Sequence, residues 1–424
     1  MADYAIHDTT LTAIANTIRK KDGSVALIDP ADYADRINLM GMLEEKTVSG
    51  AIASFSDGAD TVACKSVKCS VVASGGGGTP SSPVPIVGAS SLTVKQRGKN
   101  ISSVSEYNNN PWNFWGTNFT VMVPILNSLP IGTYTLSYTF EVTEVPDTGN
   151  ISYGVPYIRA YINGTYYNLT SYSISDASSV SVGDKFTVSA SFTIDADKAG
   201  KISYCYIYCD KKESHSGTGR GAYNLVDVML ETGSTATTYE AYNAIADVTA
   251  PIGQTVYGGE YDFNSGVFTA TVEEFVFDGS NDETWTMYTV NTDQHMFRIS
   301  NCPRKSGTLT AGANQIYSLC NEFSLSTNES TGRIQGKYSG TGTNIDFVNN
   351  DCADVTAWRT WLSNNPIQLL CELETPIEIT GLDTHTFETA LGVNNFYCDS
   401  GDTEVVYRSS GTIHVYPTAE EASF

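Results

Sequence analysis

The chain has 424 residues, 47 of them acidic and 24 basic, for a formal net charge of -23. Such a balance repels a phosphate backbone and an anionic lipid surface unless a local basic patch offsets it, and the densest basic runs, RKKDG and CDKKES, hold two or three charges each. Nucleic acid and membrane are thus excluded as expected partners, and the apolar stretches fall far short of the roughly 20 residues of a spanning helix.

Length predicts about three domains, each able to bury its own core. The start MADYAIHDTTL has neither the charged beginning nor the apolar centre of a secretory signal, so synthesis in a cytoplasm is expected. Nine cysteines then read as free thiols. In KISYCYIYCD, Cys205 and Cys209 stand about 13 Å apart if the stretch is a strand, too far for a disulfide. The other cysteines lack CxxC spacing and read as small buried apolar residues.

Residues 1–43 form the one strongly helical part. Leu11, Ile14, Ala15 and Ile18 share a stripe between a capping Asp8 and Gly23; a second helix runs from the cap Asp29 and Pro30 through Tyr33, Ile37 and Met40 to Gly41. Helices this short cannot fully bury their stripes against each other, so they are expected to dock on another surface. Residues 44–88 are a β segment ending in ASGGGGTPSSPVP, which reads as a linker.

From 89 to 245 strand alternation is sustained. YTLSYTFEV turns Tyr134, Leu136, Tyr138 and Phe140 to one face, KFTVSASFTI repeats the pattern, and Asn163–Gly164 predicts a tight type I′ hairpin. The fold expected is a mainly β chain: a short N-terminal helical segment, a central jelly-roll β-sandwich, and a C-terminal β-rich α+β domain over 246–424. In the last part GGEYDFNSGVFTATVEEFVF predicts two strands around Asn264-Ser265-Gly266, while DVTAWRTWLSNN and HTFETALGVNN predict one short helix each.

The stretch LETGSTATTYEAY, from Leu230 to Tyr242, resembles the ending of the carbohydrate-binding-module-like jelly rolls of bacteriophage tail and baseplate proteins. RGKN at 97–100 resembles the opening of the same module. TVSGAIASFSDGAD, VYGGEYDFNSGVFT, CELETPIEI and LGVNNFYCDSGDTEVVYR resemble flanking segments of minor tail proteins, and the N-terminal helices a leader found on several tail and fibre proteins. The resemblance implies a virion structural protein of a tailed phage, in baseplate, tail tip or fibre, made in the bacterial cytoplasm. It also implies a homo-oligomer, commonly a trimer, attached to other virion proteins through the N-terminal helices. Cys371 and Cys398 depart from the aromatic or small residues more usual at those positions.

Three aromatic groups are candidate glycan sites. KISYCYIYCD places Tyr204, Tyr206 and Tyr208 on one strand face, where a row of phenol rings either stacks on sugar rings or packs beneath another sheet or subunit. YIRAY adds Tyr157, Arg159 and Tyr161, a polar binding face or simply an exposed strand. PWNFWGTNF concentrates Trp112 and Trp115, which serve a ligand or fill core or interface. The partner expected is host-wall or capsular polysaccharide; the alternatives are a spacer or decoration protein of tail or head, and a depolymerase.

No catalytic constellation is read: the five histidines are scattered, and adjacent Glu273 and Glu274 point to opposite strand faces. HSGTGRGAY lacks the lysine and helix of a phosphate loop. DGSNDE, with Asp278, Asn281, Asp282 and Glu283, does not fit an EF-hand and reads as a solvated turn. The chain is expected to be non-enzymatic, without cofactor or metal.

Overall fold

The computed structural model describes residue 15 and residues 44–57, 62–109, 117–145, 150–170, 174–210, 222–291, 294–309, 316–326, 334–409 and 414–416. Of the two N-terminal helices, only Ala15 is described, and it is helical and buried. The rest of those helices, Trp112, Trp115 and most of HSGTGRGAY lie outside the described residues. The fold is mainly β with few short helices and a jelly-roll-like sandwich. No described helix is long and apolar enough to cross a membrane. Two compact units result, one of Met1–Val67, Thr93–Val248 and Thr386–Phe424, the other of Lys68–Leu92 and Thr249–His385.

Within the first unit the sandwich is built from β1 (Tyr107–Asn109), β2 (Thr117–Asn118), β3 (Gly132–Glu144), β4 (Asn150–Ile162), β5 (Thr165–Asn168), β6 (Ile174–Ser178), β7 (Lys185–Ile194), β8 (Ile202–Asp210) and β9 (Ala222–Thr232). One sheet has the order β7-β3-β9-β1; the other has β5-β4-β8-β2, with β6 also on β4. The alternation of β3 does what its sequence predicts: Tyr134, Leu136, Tyr138 and Phe140 are buried in one core with Ile158, Cys205 and Ile207 of the facing sheet. Each such side chain contributes about 1.5–3 kcal/mol by leaving water. The hydroxyl face of β3 is held laterally, Thr133 by Thr193 at 3.1 Å and Thr139 by Thr187 at 3.2 Å.

The opening RGKN and the exit LETGSTATTYEAY form one lock. Strand β9 bulges between Val226 and Met229, with Asp227 at φ 54°, which takes its backbone groups out of the ladder. The fully buried Asn100 amide meets them: Nδ2 donates to the carbonyls of Val228 (3.1 Å) and Glu240 (3.0 Å), while Oδ1 accepts from the N–H of Leu230 (3.1 Å) and Ser102 (2.9 Å). All four hydrogen-bonding positions of the amide are used. Glu231, also buried, accepts from the N–H and hydroxyl of Thr237 at 2.8 and 2.7 Å, closing the polar turn.

The same unit takes up strands from both sides of the module. Ile52–Asp57 pairs with Gly392–Cys398, which pairs in turn with the end of Ala89–Arg97. Phe55 is sandwiched by Tyr407 at 4.3 Å and Phe396 at 6.0 Å. The segment HTFETALGVNN is not helical. Its backbone is claimed elsewhere: the Glu388 carbonyl accepts from Gln96 Nε2, the Ala390 N–H donates to Asn394 Oδ1, and Phe387 is buried edge-on to Phe396. An extended path satisfies these groups, so local helix propensity loses to tertiary partners.

In the second unit, residues 68–72 pair with Gly258–Asp262, and the sheet continues through Val267–Phe277, Ile367–Ile379 and Ser318–Cys320. The predicted turn is present: Asp262 Oδ1 accepts from the N–H of Asn264 and Ser265, and Gly266 has φ 64°. A second sheet carries α1 (Val355–Asn364), capped by Asp354 through the Ala357 N–H. Trp358 and Leu362 are buried as the stripe predicts, with Trp358 stacked on Phe297 at 4.7 Å. The DGSNDE turn is closed from within. Glu283 accepts from the N–H of Asp278 and Gly279 and from Trp285 Nε1, and Arg359 caps the loop carbonyls.

The stretch read as a linker is ordered instead. Ser74–Gly75 pairs with Ile86–Val87, the Gly77 N–H donates to the Cys320 carbonyl at 2.7 Å, and the Ser324 hydroxyl donates to Gly77 and Gly78. A Cβ at Gly78 would collide with the Asn321 carbonyl oxygen, so the glycines serve close backbone approach as much as flexibility.

Two predictions follow from these cores. Asn100→Ala leaves the buried Val228 carbonyl, the Glu240 carbonyl and two N–H groups without this partner and should destabilise the protein by about 3 kcal/mol in denaturant unfolding; an unchanged midpoint would refute the lock. Burial pushes Cys302 and Cys352 up to about 11 and Cys64, Cys320 and Cys371 up to about 12. All five therefore stay protonated at pH 8 and should escape iodoacetamide in the native protein yet react in guanidinium, as read by peptide mass spectrometry. Native alkylation at these positions would contradict their burial.

Candidate functional site

The site grows from strand alternation. On β4, Ile158 and Ala160 are fully buried, so Tyr157, Arg159 and Tyr161 lie on the opposite face, where Tyr161 is exposed and Tyr157 is itself buried, its ring covered by Arg159. On β8, Cys205 and Ile207 are fully buried, which turns Tyr204 and Tyr206 outward. The register sets Arg159 opposite Tyr204 and Tyr157 opposite Tyr206. Two stretches that sequence reading treated separately thus form one surface. Tyr208 continues β8, and its side chain lies outside the described residues.

The hairpin adds residues not anticipated for the site. Asn163 and Gly164 have φ 49° and 81°, as a type I′ turn requires, and fold β5 back so that Tyr166 faces Tyr161 and Asn168 faces Arg159. Counting outward from this two-residue turn would have found both, because paired positions flank it symmetrically.

Arg159 is the centre of the surface. Its Nε donates to Asn168 Oδ1 at 2.8 Å and Tyr157 Oη at 2.9 Å, Nη1 donates to Tyr204 Oη at 2.6 Å, and Nη2 donates to Tyr157 Oη. The Tyr157 hydroxyl donates to Asn168 Oδ1 at 2.7 Å. The guanidinium carbon lies 4.5, 5.4 and 5.5 Å from the ring centroids of Tyr157, Tyr166 and Tyr204. Cation–π attraction and hydroxyl acceptors together fix the side chain. The Tyr157 hydrogen bond holds its pKa above the ordinary value, so the charge is permanent.

Around this centre the rings run on. Centroids are 4.7 Å apart for Tyr161 and Tyr166, 5.6 Å for Tyr166 and Tyr204, and 4.7 Å for Tyr204 and Tyr206. Tyr161 is 48% and Tyr166 51% exposed, so no described segment covers them. Beside Asn168 lies a shallow recess of about 420 Å³, edged by the hydroxyl residues Thr133, Ser191, Thr193 and Ser234. The surface therefore offers apolar ring faces, phenol and alcohol hydroxyls, an amide and the Arg159 cation, while Lys198, paired with Asp195, also edges the recess. Among the described residues no group of three or more His, Cys, Asp or Glu is placed to hold a metal ion.

No protein-family model matches the sequence, and no curated protein does. Among solved structures, the chain is similar to the N-terminal CBM22 tandem domain of a Paenibacillus barcinonensis protein at 7% identity, over 76% of this chain and 99% of that one, with TM-score 0.21. It is also similar to the tripod from the baseplate of bacteriophage Tuc2009 at 11% identity, over 61% of this chain and 91% of that one, with TM-score 0.19. Likenesses at this level carry no argument about function.

The positive φ at Gly164 makes the turn testable. Gly164→Ala should cost roughly 1 kcal/mol in thermal or denaturant unfolding, because a Cβ disfavours the left-handed region whatever space surrounds it. A neutral substitution would mean the hairpin does not depend on this turn.

Proposed function

We propose that this chain is a non-enzymatic structural protein of a bacteriophage tail, in baseplate, tail tip or fibre, whose central sandwich takes part in recognising host-surface glycan. The observation that carries the glycan reading is the exposed tyrosine face organised by Arg159. Pyranose rings present flat C–H faces and equatorial hydroxyls, and tilted phenol rings with edge hydroxyls complement both at little entropy cost. The recess beside Asn168 supplies hydroxyl partners where a bound chain would leave the rings.

The phage assignment rests on the motifs RGKN and LETGSTATTYEAY, which lock together around Asn100. Residues 89–245 are the binding module in this reading, and residues 1–43 attach the protein to other virion components. The described strand stretches of the face, 155–162, 165–168 and 202–207, contain no Asp, Glu or His, so the face has no carboxylate pair with which to cleave a glycosidic bond. Several copies on one particle, a trimer being expected, would raise a weak single-site affinity by avidity.

The test is binding of the full-length protein to a panel of bacterial wall and capsular polysaccharides, beside a Tyr166→Ala/Tyr204→Ala variant with matched melting temperature. Saturable binding weakened at least about tenfold, which is ~1.4 kcal/mol, locates the site. Absence of binding across the panel would leave a spacer whose tyrosines contact other virion proteins, and release of oligosaccharide would indicate a depolymerase.

A further inference from the structure

We propose that the glycan bound by this face is anionic, with a carboxylate or phosphate group seated on Arg159. The inference rests on the glycan reading above and names the ligand's chemical class.

A guanidinium has five N–H donors. The Nε–H and one N–H from each terminal nitrogen are taken by Asn168, Tyr157 and Tyr204. One N–H on Nη1 and one on Nη2 remain without an acceptor among the described residues. Donors on the two terminal nitrogens suit the two oxygens of a carboxylate or phosphate.

Charge accounting points the same way. All three acceptors on Arg159 are neutral, and no described carboxylate pairs with it. Arg298 differs, being engaged twice by Asp346, at 2.7 and 2.9 Å, and Arg97 pairs with Asp247 at 2.5 Å. In the stretches 155–162, 165–168 and 202–207, Arg159 is the sole residue among Asp, Glu, Lys and Arg, in a chain of net charge -23. At the nearby turn, Asp195 is engaged by Lys198, and the Asp197 carbonyl accepts from Lys201 Nζ. An acidic chain thus exposes a cation on a patch cleared of its own carboxylates, and the surrounding rings and hydroxyls hold that cation in place before any ligand arrives. Such preorganisation lowers the ordering cost of binding. A neutral sugar would use the rings but leave the remaining donors to water.

Matched polymers test this. The uronate arm compares polygalacturonate with its carboxyl-reduced product, and the phosphate arm compares phosphomannan with the mannan left after phosphate removal. The proposal expects at least one acidic member to bind tenfold or more tighter than its neutral counterpart, with binding weakening as sodium chloride rises from about 50 to 500 mM. The arm that shows the preference identifies the anion. Arg159→Gln should abolish the preference, whereas Tyr166→Ala should weaken acidic and neutral members alike. If the Gln variant does not fold, the matched pairs and the salt titration on the unmodified protein still decide.

Equal binding of acidic and neutral members, salt-independent binding, or a preference retained in Arg159→Gln overturns the anionic assignment while leaving glycan recognition standing. Failure of all four polymers and of the wall and capsular panel overturns both.

Discussion

The side-chain amide of Asn100 ties the beginning of the sandwich to its end. Strand β9 bulges at Asp227, and a bulge inside a buried sheet strands backbone groups that must find partners or be paid for in stability. Asn100 supplies two donors and two acceptor positions in one rigid plane, placed by the chain that enters the module. Its contacts reach the bulged strand at Val228 and Leu230 and the exit loop at Glu240. The ends of the module are thereby fixed to each other, so the intervening strands close over one core. The residues adjoining Asn100 extend the connection outward: the Gly98 carbonyl accepts from Asn395, and Arg97 pairs with Asp247.

A closed core has a consequence on its far side. Because Ile158, Ala160, Cys205 and Ile207 are committed to the interior, the alternate positions of β4 and β8 have no choice but to face outward. A register slip of one residue would bury Arg159 and expose the apolar row, at a cost far beyond what the hairpin turn alone could enforce. Burial on one face and turn geometry at Asn163–Gly164 thus specify the same register independently. The proposed binding surface is the outward counterpart of the packed core, and its rigidity is inherited from that core.

Much of this was legible in the residues. The period-two pattern of β3, the Asn-Gly turn, the helix α1 with its Trp358 and Leu362 stripe, and the shared strand faces of Tyr157, Arg159 and Tyr161 and of Tyr204 and Tyr206 all follow from local spacing. The failures share a cause. HTFETALGVNN has helical spacing but is drawn extended by Gln96 and Asn394, and the glycine-rich stretch after Ala73 is held in place by Cys320, Asn321 and Ser324. In both places at least one deciding partner, Gln96 in the first and Cys320, Asn321 and Ser324 in the second, is distant in sequence and outside any local window.

The sequence by itself determined strands such as β3 and β7, the helix α1, and the tight turn that folds β5 onto β4, because these depend on steric preferences and periodicities within a few residues. Only the tertiary structure decided that Ile52–Asp57 lies beside Gly392–Cys398, with Ser54 bonded to Asn395 across 341 positions. Tertiary structure also brought Tyr204 to Arg159, 45 positions away, and left that guanidinium among neutral partners. Pairings of this kind are chosen by shared burial and by the satisfaction of individual polar groups, which exist only once the chain has closed on itself.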